Sequence, residues 1–213
     1  MSLSQELLPI VKAVPVIPVI VLEDATIAVP LARALVAGGL HVVEVTLRTG
    51  AAMDAIERIA GEVEGAIVGA GTVLSKGQLV ASARAGARFI VSPGVNEDLL
   101  KAAQDSPVPF LPGAATASEV MQLMDLGYTM QKFFPAEPAG GVAYLRALAA
   151  PLPAVSFCPT GGISEKNAGA YLALPNVTCV GGSWVTPKDA LDHGDWPRIT
   201  KLAREAVALR GNA

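Results

Sequence analysis

At 213 residues, with 52% hydrophobic, 16% charged and only 5% aromatic residues, the chain has the aliphatic bulk for a large core, which argues against a disordered or fibrous class. A formal net charge of −3, with no local cluster of Lys or Arg, supplies no field for wrapping a polyanion and argues against nucleic acid as a partner. The longest apolar stretch, residues 14–22, carries Pro15 and Pro18 and is too short to span a bilayer, so no membrane partner is expected.

Short β-branched runs alternate with longer Ala/Leu segments of helical period, the pattern that builds a parallel sheet through crossover helices. The opening segment, Met1-Ser2-Leu3-Ser4-Gln5-Glu6, has no basic region before an apolar run and does not read as a secretory leader; a cytoplasmic location follows as an expectation. Strand candidates then fall at 14–22, 42–48, 66–73, 89–93, 109–113, 128–135, 154–160 and 177–184. Helix candidates between them include 27–37, ended by Gly38-Gly39, and 51–60, ended by Gly61; each glycine suits a left-handed C-cap. Ser118-Glu119 and Ser164-Glu165 set a polar residue and an acid near helix starts. Residues 184–195 read as a loop leading into a last helix, 196–209. Eight βα units in about this length predict an α/β fold, a minimal (β/α)8 TIM barrel forming one domain over residues 1–213, with its chemistry at the C-terminal ends of the strands. Cys158 and Cys179 stand singly in apolar runs and read as buried thiols rather than a disulfide.

Several polar residues fall where a barrel interior should be. In the second strand, Val42-Val43-Glu44-Val45-Thr46-Leu47-Arg48, alternation sends Glu44, Thr46 and Arg48 to one side and Val43, Val45 and Leu47 to the other. The apolar side meets the helices, so an acid, a hydroxyl and a guanidinium face inward, where an isolated charge is costly unless paired. One reading is an internal ion pair, although residues four apart on a strand are far for a short contact. The other is that Arg48, at the strand's end, clamps a carboxylate with its planar fork. Lys132, in Gln131-Lys132-Phe133-Phe134-Pro135, lies near the end of the sixth strand with Met130 and Phe134 on its own side. It either snorkels to the barrel mouth or sits among apolar groups, a setting that favours the neutral amine required for attack on a carbonyl. Glu44 on another strand could then shuttle the protons of carbinolamine formation and dehydration.

Two glycine turns follow the last strands, Thr160-Gly161-Gly162-Ile163-Ser164 and Gly181-Gly182-Ser183. Glycines let backbone N–H groups approach phosphate oxygens, and Ser183 adds a hydroxyl, at the strand ends where barrels hold phosphate; a lone Gly-Gly is equally compatible with a plain tight turn. Ser92-Pro93-Gly94 and Pro112-Gly113 end strands four and five and are candidates for a pocket rim. His41 and His193 have no acid or Cys at ligand spacing, so no metal site is expected.

Taken together, Glu44-Val45-Thr46-Leu47-Arg48-Thr49, Gly69-Ala70-Gly71-Thr72-Val73, Ser92-Pro93-Gly94, Lys132-Phe133-Phe134-Pro135-Ala136-Glu137, Pro159-Thr160-Gly161-Gly162-Ile163 and Gly181-Gly182-Ser183-Trp184 resemble the 2-keto-3-deoxy-6-phosphogluconate (KDPG) aldolases, a family also described as 4-hydroxy-2-oxoglutarate aldolases. The resemblance runs in order along nearly the whole chain. It implies a cofactor-free class I aldolase of the Entner-Doudoroff route, a homotrimer, that reversibly cleaves a small-molecule substrate, KDPG, to pyruvate and glyceraldehyde 3-phosphate. By position it implies Lys132 as the Schiff-base lysine and Glu44 as its general acid/base. Arg48 and Thr72 would hold the pyruvate carboxylate, Pro93 and Phe134 would shape the pocket, and Thr160, Gly161, Gly162, Gly182 and Ser183 would form the phosphate end. The galactonate epimer and unphosphorylated 4-hydroxy-2-oxoglutarate are the substrate alternatives. A phosphate-binding epimerase or isomerase, or a sensor of a phosphorylated metabolite, would share the glycine turns without needing the amine.

Overall fold

The computed structural model describes residues 3–209; Met1 and Ser2, where the segment read for a leader begins, lie outside them. A helix absent from the expectations, α1 (Leu3–Lys12), precedes the first strand. The strands are β1 (Val16–Ile20), β2 (Val42–Thr46), β3 (Ile67–Gly71), β4 (Ile90–Val91), β5 (Phe110–Leu111), β6 (Gly113–Ala114), β7 (Met130–Phe133), β8 (Ser156–Pro159) and β9 (Val180–Gly182). Each of the eight expected runs yields strand, but the fifth is divided between β5 and β6. Pro112 sits at the break, where it has no N–H to give to a ladder.

All strand pairings are parallel. Six strands form one curled sheet in the order β5-β4-β3-β2-β1-β9, and three form another in the order β6-β7-β8. Two isolated parallel bridges, Phe157 with Val177 and Thr160 with Gly181, connect the flank of β8 to that of β9. At the other junction the Lys132 N–H donates to the carbonyl of Pro112, 2.8 Å away. The crossover helices are α2 (Ala28–Ala37), α3 (Ala52–Glu62), α4 (Lys76–Arg84), α5 (Glu97–Gln104), α6 (Ala117–Asp125), α7 (Gly141–Ala149) and α8 (Glu165–Leu172), followed by α9 (Lys188–Asp192) and α10 (Trp196–Ala208). Helices on one face and packed side chains on the other bury every residue of β1 and β2, as expected for parallel strands covered on both sides.

The local signals were partly different from those expected. Gly39, with φ of 95°, takes the left-handed position after α2. Gly61, in contrast, is not a cap: α3 runs through it to Glu62 and ends at Val63 in extended conformation. Ser118 and Glu119 lie in the first turn of α6 as expected; the N-cap is Thr116, with Glu119 completing a reciprocal capping box. Ser164 caps α8 with Asn167 as its partner, and Glu165 lies in the first turn. The stretch expected as a loop before the last helix contains α9, and α10 ends at Ala208. Cys158 and Cys179 are both buried thiols. None of the described helices is long and apolar enough to cross a membrane.

Candidate active site

The C-terminal half of β2 and that of β7, strands of different sheets, bring two ionisable side chains together. Lys132 Nζ lies 3.2 Å from Glu44 Oε1, and each side chain is only 4% exposed. The two residues are 88 apart in sequence, so neither local propensity nor a single strand's pattern accounts for the contact. Removing either partner would leave an uncompensated buried charge, which makes this pair expensive as mere architecture. The Phe134 ring centroid lies 5.4 Å from Lys132 Nζ, a cation–π distance. Phe133, on the opposite face of β7, is fully buried against Tyr144 and Phe157 and anchors the strand.

Glu44 reaches Lys132 because Gly71 stands beside it on β3: a methyl group at that position would overlap the Glu44 carboxylate. Thr46, also buried, spends its hydroxyl on the carbonyl of Ile20 at 2.9 Å, which satisfies it inside the fold without any ligand. The expectation that Arg48 points into the interior is corrected. β2 ends at Thr46, the Arg48 N–H turns back to the Thr46 carbonyl at 2.8 Å, and Arg48 is exposed at the rim. From there its Nε donates to Thr72 Oγ1 at 3.2 Å. Thr72 has φ of 56°, a left-handed conformation unusual for a β-branched residue. Arg48 and Thr72, separated by 24 residues, thus meet at the rim.

Pro93 is half-buried and lies against Gly113, whose Cα faces the Pro93 carbonyl so closely that a side chain there would overlap it. In the β6–β7 register Gly113 is the partner of Lys132, so Pro93 borders the same region. The glycine turns after β8 and β9 are neighbours: Thr160 bridges Gly181, and its hydroxyl occupies the space that a side chain at Gly181 would need. Gly161 and Gly162 have φ of 101° and 79°, open to glycine alone without strain. Gly182 is buried under the Trp184 ring, and Ser183 is exposed beside an open cavity of about 410 Å³ that also borders Val19, Asp24 and Lys188.

Three neighbours of these turns were not singled out beforehand. Glu137 accepts a hydrogen bond from the Tyr171 hydroxyl, and Asn167 Nδ2 donates to the Gly162 carbonyl at 3.0 Å. Burial, and then the bond and charge of Glu137, hold the Tyr171 phenol far above the ordinary tyrosine range, so it stays a donor. Asn167 could have been found from the Ser-x-x-Asn spacing at a helix start; nothing in the sequence links Glu137 to Tyr171.

A shielded amine against a carboxylate, at the C-terminal ends of parallel strands, has the make-up of a lysine-dependent enzyme acting on carbonyl compounds. A family model described as KDPG and KHG aldolase matches residues 8–202. The KHG/KDPG aldolase of Escherichia coli (strain K12) is 59% identical over 193 residues, 91% of each chain. Among solved structures, the KDPG aldolase of Legionella pneumophila, with pyruvate captured as a covalent carbinolamine intermediate, superposes with a TM-score of 0.91 at 48% identity, covering 93% of this chain and 96% of that one. The KDPG aldolase of Zymomonas mobilis ZM4 with 3-phosphoglycerate gives the same TM-score and identity over 97% of both chains. The chain belongs to the KDPG and KHG aldolase family.

Proposed function

We propose that the protein is a class I aldolase that reversibly cleaves KDPG to pyruvate and glyceraldehyde 3-phosphate. The observation that carries the reading is the buried contact between Lys132 and Glu44. Glu44 takes a proton from the amine, and Nζ attacks the C2 ketone. Glu44 then returns a proton to the carbinolamine oxygen, which leaves as water. The resulting iminium accepts the electron pair of the C3–C4 bond as it breaks, the C4 hydroxyl gives its proton to the Glu44 carboxylate, which then carries it to C3 of the enamine, and the aldehyde departs. The enamine left on Lys132 is protonated at C3 and hydrolysed to pyruvate and free amine. Arg48 and Thr72 hold the C1 carboxylate at the rim, Pro93 and Phe134 flank the keto carbon, and Thr160, Gly161, Gly162, Gly182 and Ser183 take the phosphate. The carbinolamine in the Legionella relative supports covalent chemistry with pyruvate, and the phosphorylated acid in the Zymomonas relative supports an anion end.

The dual name of the Escherichia coli relative favours a second substrate, 4-hydroxy-2-oxoglutarate, cleaved to pyruvate and glyoxylate by the same steps. The reading extends to the assembly: a single domain whose two sheets close into a (β/α)8 barrel, supported by the bridges from β8 to β9 and the bond from Lys132 to Pro112, acting in the cytoplasm as a homotrimer. Incubation with pyruvate and borohydride is expected to leave a mass adduct on Lys132. Lys132→Ala should lose both adduct and cleavage; a mutant that still forms the adduct would overturn the assignment.

A further inference from the structure

The turn between β8 and α8 is held from outside by its carbonyls. The Ala136 N–H donates to Thr160 O at 2.8 Å, the Glu137 N–H to Gly161 O at 3.0 Å, and Asn167 Nδ2 to Gly162 O at 3.0 Å. With those three acceptors engaged by the protein, the N–H groups of Gly161 and Gly162 are what the turn can present to an anion. Their direction depends on how far apart the loop after β7 and helix α8 are kept.

Glu137 spans that gap. Its main chain binds Gly161, and its side-chain stem lies flat against Gly162, where a methyl group would fall 2.6 Å from Cγ. Its carboxylate ends on the hydroxyl of Tyr171, a residue of α8 with no exposed surface. Asn167, one turn earlier on the same helix, holds the Gly162 carbonyl and the Ser164 N–H, the latter at 2.7 Å.

We infer that the Glu137–Tyr171 hydrogen bond is a positioning device for the phosphate turn, fixing Gly162 between the loop after β7 and α8 and thereby setting the preference for phosphorylated over unphosphorylated substrates. The inference rests on the aldolase reading of the site. What the turn draws from Glu137 is its acceptor oxygen on Tyr171, because the charge itself, beside an anion cradle, works against binding. A neutral acceptor in its place should serve as well.

Steady-state kinetics of Tyr171→Phe, Glu137→Ala and Glu137→Gln on KDPG and on 4-hydroxy-2-oxoglutarate separate the roles. Tyr171→Phe and Glu137→Ala are expected to raise KM for KDPG about tenfold, with kcat moved less than about twofold. The ratio of kcat/KM between the two substrates should fall by the same factor, and Glu137→Gln should restore it. Equal losses on both substrates, or an unchanged ratio in Tyr171→Phe, overturn the inference. Should Tyr171→Phe fail to fold, the contrast between Glu137→Ala and Glu137→Gln decides in the same way. A wild-type protein that cleaves neither substrate overturns the aldolase reading itself, and this inference with it.

Discussion

At the scale of single residues, the site depends on a side chain that is missing. Gly71 on β3 leaves the volume that the Glu44 carboxylate fills on its way to Lys132. Gly71→Ala should therefore push the carboxylate out of register without touching the amine. We expect it to reproduce the kinetic effect of Glu44→Gln, a fall in kcat of about 100-fold or more with a smaller effect on pyruvate binding, because a misplaced or absent proton relay acts in the transition states. Rates of KDPG cleavage and pyruvate trapping measured side by side check this; a Gly71→Ala enzyme of normal kcat would show that Glu44 has other room. Much of this neighbourhood was legible beforehand. Glu44 on a strand of otherwise apolar neighbours, and Lys132 in an aromatic segment, are placements that elementary burial costs single out. The position of Arg48 was not, because alternation was carried two residues past the end of β2, where a turn replaces the pleat.

At the scale of elements, the sequence marked strands by their β-branched runs and helices by their period, and each expected run contains one. Their ends were less readable. Gly61 looks like a terminator, but with no neighbour within 4 Å of where its Cβ would be, nothing in its surroundings requires the chain to turn there, and α3 continues. Ser118 and Glu119 lie in the first turn of α6 as expected, but the hydroxyl that caps the helix, on Thr116, is the one in reach of the free N–H groups. That cap gives a pH prediction. The Glu119 carboxyl is held below its ordinary 4.5, chiefly by the N–H of Ala115, with burial opposing and Thr116 assisting. A depressed folded-state value means that the stabilisation is present above 4.5 and is lost as pH falls through the lower, folded value. In urea unfolding, Glu119→Gln should lower the midpoint at neutral pH, and the difference from wild type should shrink below pH 4.5. A constant difference at every pH would remove the carboxylate from the explanation.

At the scale of the whole molecule, one continuous cluster of buried apolar side chains runs beneath both sheets. Phe157 on β8 sits fully inside it and meets the Phe133 ring edge-on at 6.3 Å. Truncation by Phe157→Ala is expected to cost about 3–5 kcal/mol through lost burial and the cavity left behind. The measurement is a denaturant midpoint that falls while the slope stays unchanged; a cost near zero would mean that the layers between β7 and β8 collapse to fill the space. The break of the fifth strand at Pro112 into β5 and β6 was the part least visible in the sequence, because the apolar run continues through it. The count of βα units did carry the long-range pairing, since a barrel built from them sets the first strand between the second and the last, and β1 is flanked by β2 on one side and by β9 on the other.

That last adjacency bears on timing. β1 is made some 160 residues before β9, the neighbour on its second edge, while the amine and the carboxylate belong to separate sheets. Between the making of β1 and that of β9 a growing chain therefore carries an open edge, and Lys132 acquires Glu44 as its partner only when the two sheets have docked, so that single buried contact is a readout of their assembly.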